Sequence, residues 1–417
     1  LIIHYIVIGA GPAGVVAAET LRKNDQHADI TIIGAEPEPP YSRMAIPYFL
    51  EGKIEQEGSY LRDPSSHFSS LKIDVIQDIV NNVDTAEQLL TLNSGSTLQF
   101  DKLLIATGSR PLAPPIPGTD LDIVHSCWTL EDARKIIELA QPGSNVILIG
   151  AGFIGCIILE SLLKRGINLT IVETGNRMVP RMLNDKAGGL IKSWCIEKGI
   201  DVKTSCGVES IIRNTEGLVG VKLSDGSQLA ADLVITATGV KPNTEFLENS
   251  EIQIDKGLLV NEYMQTSDSN VYAAGDVAQA LDFSTGNHEV QAIQTTSTDH
   301  GRIAALNMCG KKVQHEGSIN MNVLDTVGLI SCSFGLWMGV EDGESVEIYN
   351  EKDYRYLNLQ FDGDILVGAS STGMTQHIGV LRGLIESRLQ LGVWKDRLLK
   401  DPTLIMEAYM ANTQELG

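Results

Sequence analysis

Residues Gly9-Ala-Gly-Pro-Ala-Gly14 follow the apolar run Tyr5-Ile-Val-Ile8 and open a helical pattern from Ala13 to Arg22. Strand, glycine turn and helix in that order form the front edge of a βαβ unit. Gly9 permits the tight turn, Gly11 lets the backbone approach a pyrophosphate, and Gly14 lets helix and strand pack closely. The helix start presents unpaired N–H groups to phosphate oxygens. Glu36 lies at the end of the next apolar run, Ile30-Thr-Ile-Ile33, 22 residues beyond Gly14. A carboxylate there accepts hydrogen bonds from adenosine ribose hydroxyls. The stretch reads as a dinucleotide-binding fingerprint.

The fingerprint occurs twice. Gly150-Ala-Gly-Phe-Ile-Gly155 repeats it at an offset of 141, Glu173 repeats Glu36 at 137, and Asp232-Leu-Val-Ile-Thr-Ala-Thr-Gly239 repeats Asp101-Lys-Leu-Leu-Ile-Ala-Thr-Gly108 at 131. Hairpins around Ser94-Gly95 and Asp225-Gly226 hold the same place in each copy. An internal duplication brings all these features together, whereas a chance glycine motif would not. The second copy follows Asn145-Val-Ile-Leu-Ile149, runs as a helix to Lys164, and places Glu173 at the end of the strand Asn168 to Val172. Glu173 suits a free 2′-hydroxyl and repels a 2′-phosphate, which predicts NADH over NADPH. Arg177 and Arg181 lie just downstream, either as phosphate ligands or as solvated loop residues.

The repeat sets the expected organisation. Arg110-Pro-Leu-Ala-Pro-Pro-Ile-Pro-Gly118 crosses between the copies and Val240-Lys-Pro-Asn243 returns. The fold class is α/β, with two Rossmann-like dinucleotide-binding domains of three-layer ββα type. The first is discontinuous, 1–112 and 243–318, and encloses the second, 113–242. Residues 319–417 form an α+β domain with strands at Asn320–Leu329, Ser345–Asn350, Tyr354–Phe361 and Ile365–Ala369. Helical patterns follow at 376–391 and at 402–415, the latter with Asp401 as N-cap and Pro402 in the first turn. Within the returning segment, Asp276 ends Val271-Tyr-Ala-Ala-Gly-Asp, where it either binds a polyol or caps the next helix. A helix beginning near Thr298 directs its positive end the same way.

Composition narrows the class. The chain has 417 residues, with 32 Lys plus Arg against 53 Asp plus Glu, a net charge of −21. That acidity argues against nucleic acid and anionic membrane surfaces as partners. The six cysteines form no C-x-x-C, so neither a disulfide framework nor a structural metal is expected, and the residues read as cytoplasmic thiols. The opening Leu-Ile-Ile-His-Tyr reads as a strand, not a signal peptide. The longest apolar run, Val146 to Leu159, has 14 residues, short of the roughly 20 that span a membrane.

The motif order resembles the FAD-dependent pyridine nucleotide–disulfide oxidoreductase superfamily over the whole chain. Glu36-Pro-Glu-Pro-Pro-Tyr-Ser-Arg43, Ile46-Pro-Tyr48, Val179-Pro-Arg-Met-Leu183 and Gly301-Arg-Ile-Ala-Ala-Leu-Asn307 resemble its NADH–rubredoxin and ferredoxin reductases and the flavin part of nitrite reductases. The resemblance implies FAD in the first copy, at Gly9, Gly11, Pro12, Ala13, Gly14, Glu36, Arg43, Ala106, Thr107, Gly108, Gly275 and Asp276. It implies NAD(H) in the second, at Gly150, Gly152, Phe153, Ile154, Gly155, Glu173, Thr238 and Gly239. No metal is implied, and the last hundred residues become an interface domain for a homodimer or a hetero-oligomeric redox complex.

Departures from the pattern select among branches. Disulfide reductases store electrons in a C-x-x-x-x-C or C-x-x-C pair, and neither spacing occurs. Single-cysteine relatives carry the thiol where this chain has Met44. Where relatives place a glutamate after the second fingerprint, this chain has Ile157; where oxygenase-type reductases pair it with a lysine, it has Tyr48. Losing both members leaves no orphaned charge. Tyr48 either covers the flavin or sits in the core. Hydride transfer needs positioning and exclusion of water rather than a protein acid or base. Asp299 and His300 are the titratable groups expected near the flavin, unless they serve as helix-start caps.

The reading is therefore an FAD-dependent NADH oxidoreductase serving an iron–sulfur electron carrier or an iron–sulfur subunit. A type II NADH–quinone oxidoreductase competes, with Leu404, Ile405, Met406, Tyr409 and Met410 as an apolar membrane face. A non-catalytic FAD- and NADH-binding interaction protein, motivated by Ile157, competes as well. Rubredoxins and ferredoxins are usually acidic, so docking requires either a basic cluster, such as Arg382, Arg388, Lys395 and Arg397, or apolar contacts in a stable complex.

Overall fold

The computed structural model describes residues 2–413. The chain divides into two units. Leu1–Phe49, Ile54–Arg110 and Val240–Ser318 form the first; Leu50–Lys53, Pro111–Gly239 and Ile319–Gly417 form the second.

The first unit is built on a five-stranded parallel sheet. Its strand order is Val271–Ala273, Lys102–Ile105, His4–Ile8, Asp29–Gly34, Ile73–Gln77. His4–Ile8 pairs in register with Asp29–Ile33 on one side, and Tyr5–Ile8 pairs with Lys102–Ile105 on the other. The central strands are near-continuous Val, Ile and Leu because both faces are covered. Helices Pro12–Asn24 and Gln294–Met308 pack tightly on one another, and a Cβ at Gly301 would strike the Ala13 carbonyl. The antiparallel meander Val80–Asp84, Leu89–Leu92, Thr97–Gln99 adds Val80, Val83, Leu90 and Leu92 to the same core.

The second unit repeats this plan in its first part. Its parallel sheet runs Asp201–Lys203, Asn168–Val172, Asn145–Ile149, Leu233–Thr236, Val124–Ser126, with a meander of Val208–Arg213, Val219–Leu223 and Gln228–Ala231. The C-terminal part is a five-stranded antiparallel sheet ordered Met321–Thr326, Leu329–Gly335, Ile365–Thr372, Arg355–Asp362, Glu344–Asn350. Cys332, Phe334, Leu357, Leu359 and Ala369 face a core shared with Leu381, Leu384, Leu398, Ile405 and Ala408 of the following helices.

Five expectations are corrected, the first being the helix to Lys164, which is divided at Ile158 into Phe153–Ile157 and Leu159–Leu163. The segment Asn320–Leu329 is not one strand. It turns at Val327 and Gly328, both at positive φ (53° and 87°), so that Thr326 pairs with Leu329. A type I′ hairpin normally carries Asn-Gly; a β-branched residue there hid the turn, whose Val327 carbonyl accepts from Trp194 Nε1 at 3.0 Å. Among the described residues the C-terminal helices number three, Ile378–Ser387, Val393–Lys400 and Ile405–Thr413: left-handed Arg388 ends the first pattern early, and Val393–Lys400 lies between the two expected patterns. Asp401 follows the middle helix and anchors the turn before Ile405, accepting from the Thr403 backbone at 3.0 Å. Positions 414 and 415 of the expected helix lie outside the described residues. The helix expected near Thr298 begins one turn earlier, at Gln294. Among the described residues, no helix is long and apolar enough to cross a membrane.

Candidate functional site

Both glycine turns have the geometry that the fingerprint demands. Gly9 and Gly150 sit at φ 114° and 100°. A Cβ at Gly9 would collide with the Ala106 carbonyl, and one at Gly150 with that of Ala237. Each first glycine is thus pressed against the strand end that carries Ala-Thr-Gly. Gly14 and Gly155 lie as closely on Gly9 and Gly150, whereas Gly11 and Gly152 face open space. No side chain caps the helix at either Gly11 or Gly152. The leading N–H groups therefore stay free for phosphate oxygens, and in both units the residues fit a pyrophosphate.

The two acids behave differently. Glu36 is partly exposed and ends in a polar triad. Tyr41 Oη donates to Glu36 Oε2 at 2.5 Å, Arg43 Nη2 to Glu36 Oε1 at 2.6 Å, and Arg43 Nη1 to Tyr41 Oη at 2.8 Å. Glu173 is 9% exposed and accepts from backbone N–H groups: Ala151 to Oε2 and Gly175 to Oε1, both at 2.7 Å. The Ala151 carbonyl accepts in turn from Val179, a β-branched residue at φ 44°. Glu173 thus braces its own glycine turn. Arg177 is partly exposed. It is spent on Leu183 O at 2.8 Å, Pro180 O at 3.2 Å and Asp185 at 2.7 Å. Arg181 is exposed.

Asp276 sits in a 3-10 turn, Gly275–Val277, directly after the strand Val271–Ala273. Ser109 Oγ donates to Oδ2 at 3.1 Å and Ser297 Oγ to Oδ1 at 3.2 Å. Burial pushes its carboxyl above the usual range, against the opposing pull of the two hydroxyls and of Arg43. A carboxylate whose two oxygens accept from short hydroxyls fits a polyol chain. Asp276 does not cap the helix, whose N-cap is Ile293 with no side-chain cap. Neither serine was singled out from the sequence; nothing in the local pattern marks a partner 167 or 21 residues away.

Other expected residues have structural tasks. Thr107 Oγ1 donates to Asn243 O at 2.8 Å, and Thr238 Oγ1 to Leu112 O at 2.8 Å. Each Ala-Thr-Gly is thus pinned by a crossing segment. Tyr48 is 52% exposed, which excludes the core alternative, and it belongs to the first unit while Ile157 belongs to the second. Asp299 pairs with Arg302 at 2.7 Å. His300 is buried in the second turn of its helix, with neither ring nitrogen partnered, and lies edge-on to His315 at 4.7 Å. Burial, then His315, lowers its pKa to about 3, so it stays neutral. Neither residue caps the helix start.

All six cysteines are free thiols. Burial pushes Cys127, Cys195 and Cys332 up to about 12 and Cys156 well above its ordinary value. A thiol so displaced yields no thiolate near neutrality. Met44, in the turn Arg43–Ala45, is 47% exposed. Among the described residues no cluster of His, Cys, Asp or Glu could hold a metal.

Comparison with known proteins agrees with this geometry. Residues 3–300 match the model of the pyridine nucleotide-disulphide oxidoreductase family. The chain is 31% identical to the NADH-dependent phenylglyoxylate dehydrogenase subunit epsilon of Aromatoleum evansii, over 98% of this chain and 97% of that one. Among solved structures it resembles a NAD-dependent persulfide reductase from A. fulgidus, with TM-score 0.86, 28% identity, and 94% and 78% of the two chains covered. It also resembles the NADH:rubredoxin oxidoreductase of Clostridium acetobutylicum, with TM-score 0.77, 25% identity, and 94% and 97% covered. The chain belongs to the pyridine nucleotide-disulphide oxidoreductase family and is a flavin enzyme of the NAD(P)H-dependent kind, with FAD and NAD(H) as its cofactors.

Proposed function

We propose that the protein carries electrons between NADH and a small iron–sulfur protein, or an iron–sulfur subunit of a complex to which it belongs, with no thiol relay. The observation that carries this reading is Met44, exposed where single-cysteine relatives hold their thiol, together with cysteines elsewhere that burial keeps protonated. With no dithiol to store an electron pair, electrons must leave directly from the cofactor.

In this reading the first unit holds FAD and the second NADH. Gly9, Gly11 and Gly14 seat the FAD pyrophosphate, Glu36 and Arg43 its adenosine end, and Asp276 its polyol. Gly150, Gly152 and Gly155 seat the NADH pyrophosphate. Glu173 turns away a 2′-phosphate, and Arg177 is committed to its own loop. FAD held there would supply hydride and single-electron chemistry. The chain supplies orientation and keeps its titratable groups out of the exchange: His300 is neutral and Asp299 is ion-paired.

The cations weighed as a dock for an acidic carrier are largely engaged. Arg382 pairs with Glu386 at 2.9 Å, Lys395 pairs with Glu344, and Arg397 stacks on Trp394 at 4.4 Å. Engaged cations and a net charge of −21 favour a stable complex over electrostatic capture, as does near full-length similarity to a named subunit. The quinone alternative is less favoured: of its apolar face, Ile405 is buried and Leu404 and Tyr409 pack on the same core, leaving Met410 as the exposed member. The test is acceptor choice. Protein reduced anaerobically with NADH is mixed with rubredoxin, ferredoxin, menadione or oxygen. Fastest reoxidation by an iron–sulfur protein is expected; fastest reoxidation by menadione or oxygen would contradict the reading.

A further inference from the structure

Asp276 is held by two hydroxyls from distant parts of the first unit. Ser109 follows Ala-Thr-Gly at the end of one strand, and Ser297 lies in the first turn of Gln294–Met308. Both serines are buried, at 5% and 6% exposure, and they bond opposite oxygens of the carboxylate. Gly275 preserves the approach: a Cβ there would meet Ser297 Oγ at 3.3 Å. We propose that Ser109 and Ser297 are positioning residues for FAD. Their hydroxyls hold both oxygens of the Asp276 carboxylate in place, so that it accepts hydrogen bonds from the polyol chain of the flavin. The proposal rests on FAD occupying the first unit.

The physical argument is a balance. Hydrogen bonds to an ionised carboxylate are stronger than those to its neutral form. Burial works against ionisation of Asp276, while the two hydroxyls and the Arg43 guanidinium work for it. Arg43 is shared with Glu36 and Tyr41. The same helix carries Asp299, which is paired with Arg302, and His300, which burial keeps neutral. Removing either serine hydroxyl therefore shifts Asp276 toward its protonated form and removes one restraint on its orientation. FAD affinity then falls as pH falls, and the fall begins at a higher pH in the variant.

The experiment measures FAD affinity of the apoprotein at stepwise lower pH, by flavin fluorescence, with far-UV circular dichroism on the same samples. Wild type, Ser109→Ala, Ser297→Ala, Ser297→Thr and Asp276→Asn are compared. In each alanine variant the midpoint of affinity loss is expected about one pH unit above wild type, the equivalent of one hydrogen bond to a charged group. Ser297→Thr keeps the hydroxyl and restores the wild-type midpoint, and Asp276→Asn abolishes the step. Alanine variants that bind FAD more weakly at every pH with an unmoved midpoint would reduce the serines to packing and overturn the proposal. So would an Asn variant that keeps the wild-type step. A wild type that binds no FAD at any pH would overturn the placement of the cofactor itself, which the other outcomes leave intact.

Discussion

The two copies of the fingerprint share a sheet order and a glycine turn, but they differ at the fifth strand. In the first unit that strand is Val271–Ala273, which delivers Asp276, and the helix after it, Gln294–Met308, starts with no side-chain cap. In the second it is Val124–Ser126, and the following helix, Leu130–Leu139, is closed by a full capping box between Thr129 and Asp132. An uncapped helix start leaves N–H groups for a ligand, and a capping box spends them on the protein. The acids differ in the same sense. Glu36 meets Tyr41 and Arg43 at the surface, while Glu173 is turned inward to brace Ala151. One duplicated fold thus offers an elaborated cradle in its first copy and a plainer one in its second. That is the asymmetry expected of a tightly kept flavin and an exchangeable nucleotide.

The comparison breaks most severely at the first glycines. Gly9→Ala forces a Cβ into the Ala106 carbonyl at a strained φ, a cost of about 3 kcal/mol or more. It is expected to abolish FAD retention, read from the ratio of flavin to protein absorbance. Gly150→Ala is expected to keep FAD and lose reduction by NADH; the reverse pattern would exchange the two assignments.

Glu173→Ala comes next. It leaves the Ala151 and Gly175 N–H groups without their acceptor, a loss of about 2 kcal/mol in urea-monitored stability. NADH affinity should fall about tenfold, as one such interaction implies, and NADPH affinity by less. Equal losses for both nucleotides would remove Glu173 from the specificity argument.

The buried His300 sharpens the contrast through pH. Its pKa in the folded chain is about 3 against 6.5 unperturbed, so the unfolded chain binds the extra proton between those values. Stability is therefore complete above about 6.5 and declines as pH falls toward 3. About 2 kcal/mol should be lost between neutrality and pH ~5. His300→Phe should flatten that slope; an unchanged slope would mean that another group carries it.

Tyr41→Phe is the mildest test. Losing one hydroxyl of the Glu36 triad should weaken FAD binding about threefold to fivefold, in line with a single hydrogen bond. NADH affinity should not move. A comparable loss on NADH would show that the two sites are not independent.

The sequence carried the duplication, the turns and the acids because these are local patterns with steric causes. Gly9 has a collision to avoid, and the apolar strands have two faces to bury. Ser109, Ser297 and Tyr41 were not legible, since their roles depend on where a carboxylate from another element ends. The Val327-Gly328 hairpin was hidden because its first residue is a poor former of left-handed turns, and tertiary bonding at Trp194 accompanies it. The commitment of Arg177 was not legible because two of its partners are backbone carbonyls, which no residue pattern reveals.

The most direct test is anaerobic titration of the FAD-loaded protein with NADH and, separately, with NADPH, followed by flavin absorbance. The account predicts stoichiometric bleaching by NADH and bleaching by NADPH only at much higher concentration. A flavin that neither nucleotide bleaches, or that NADPH bleaches first, would contradict it.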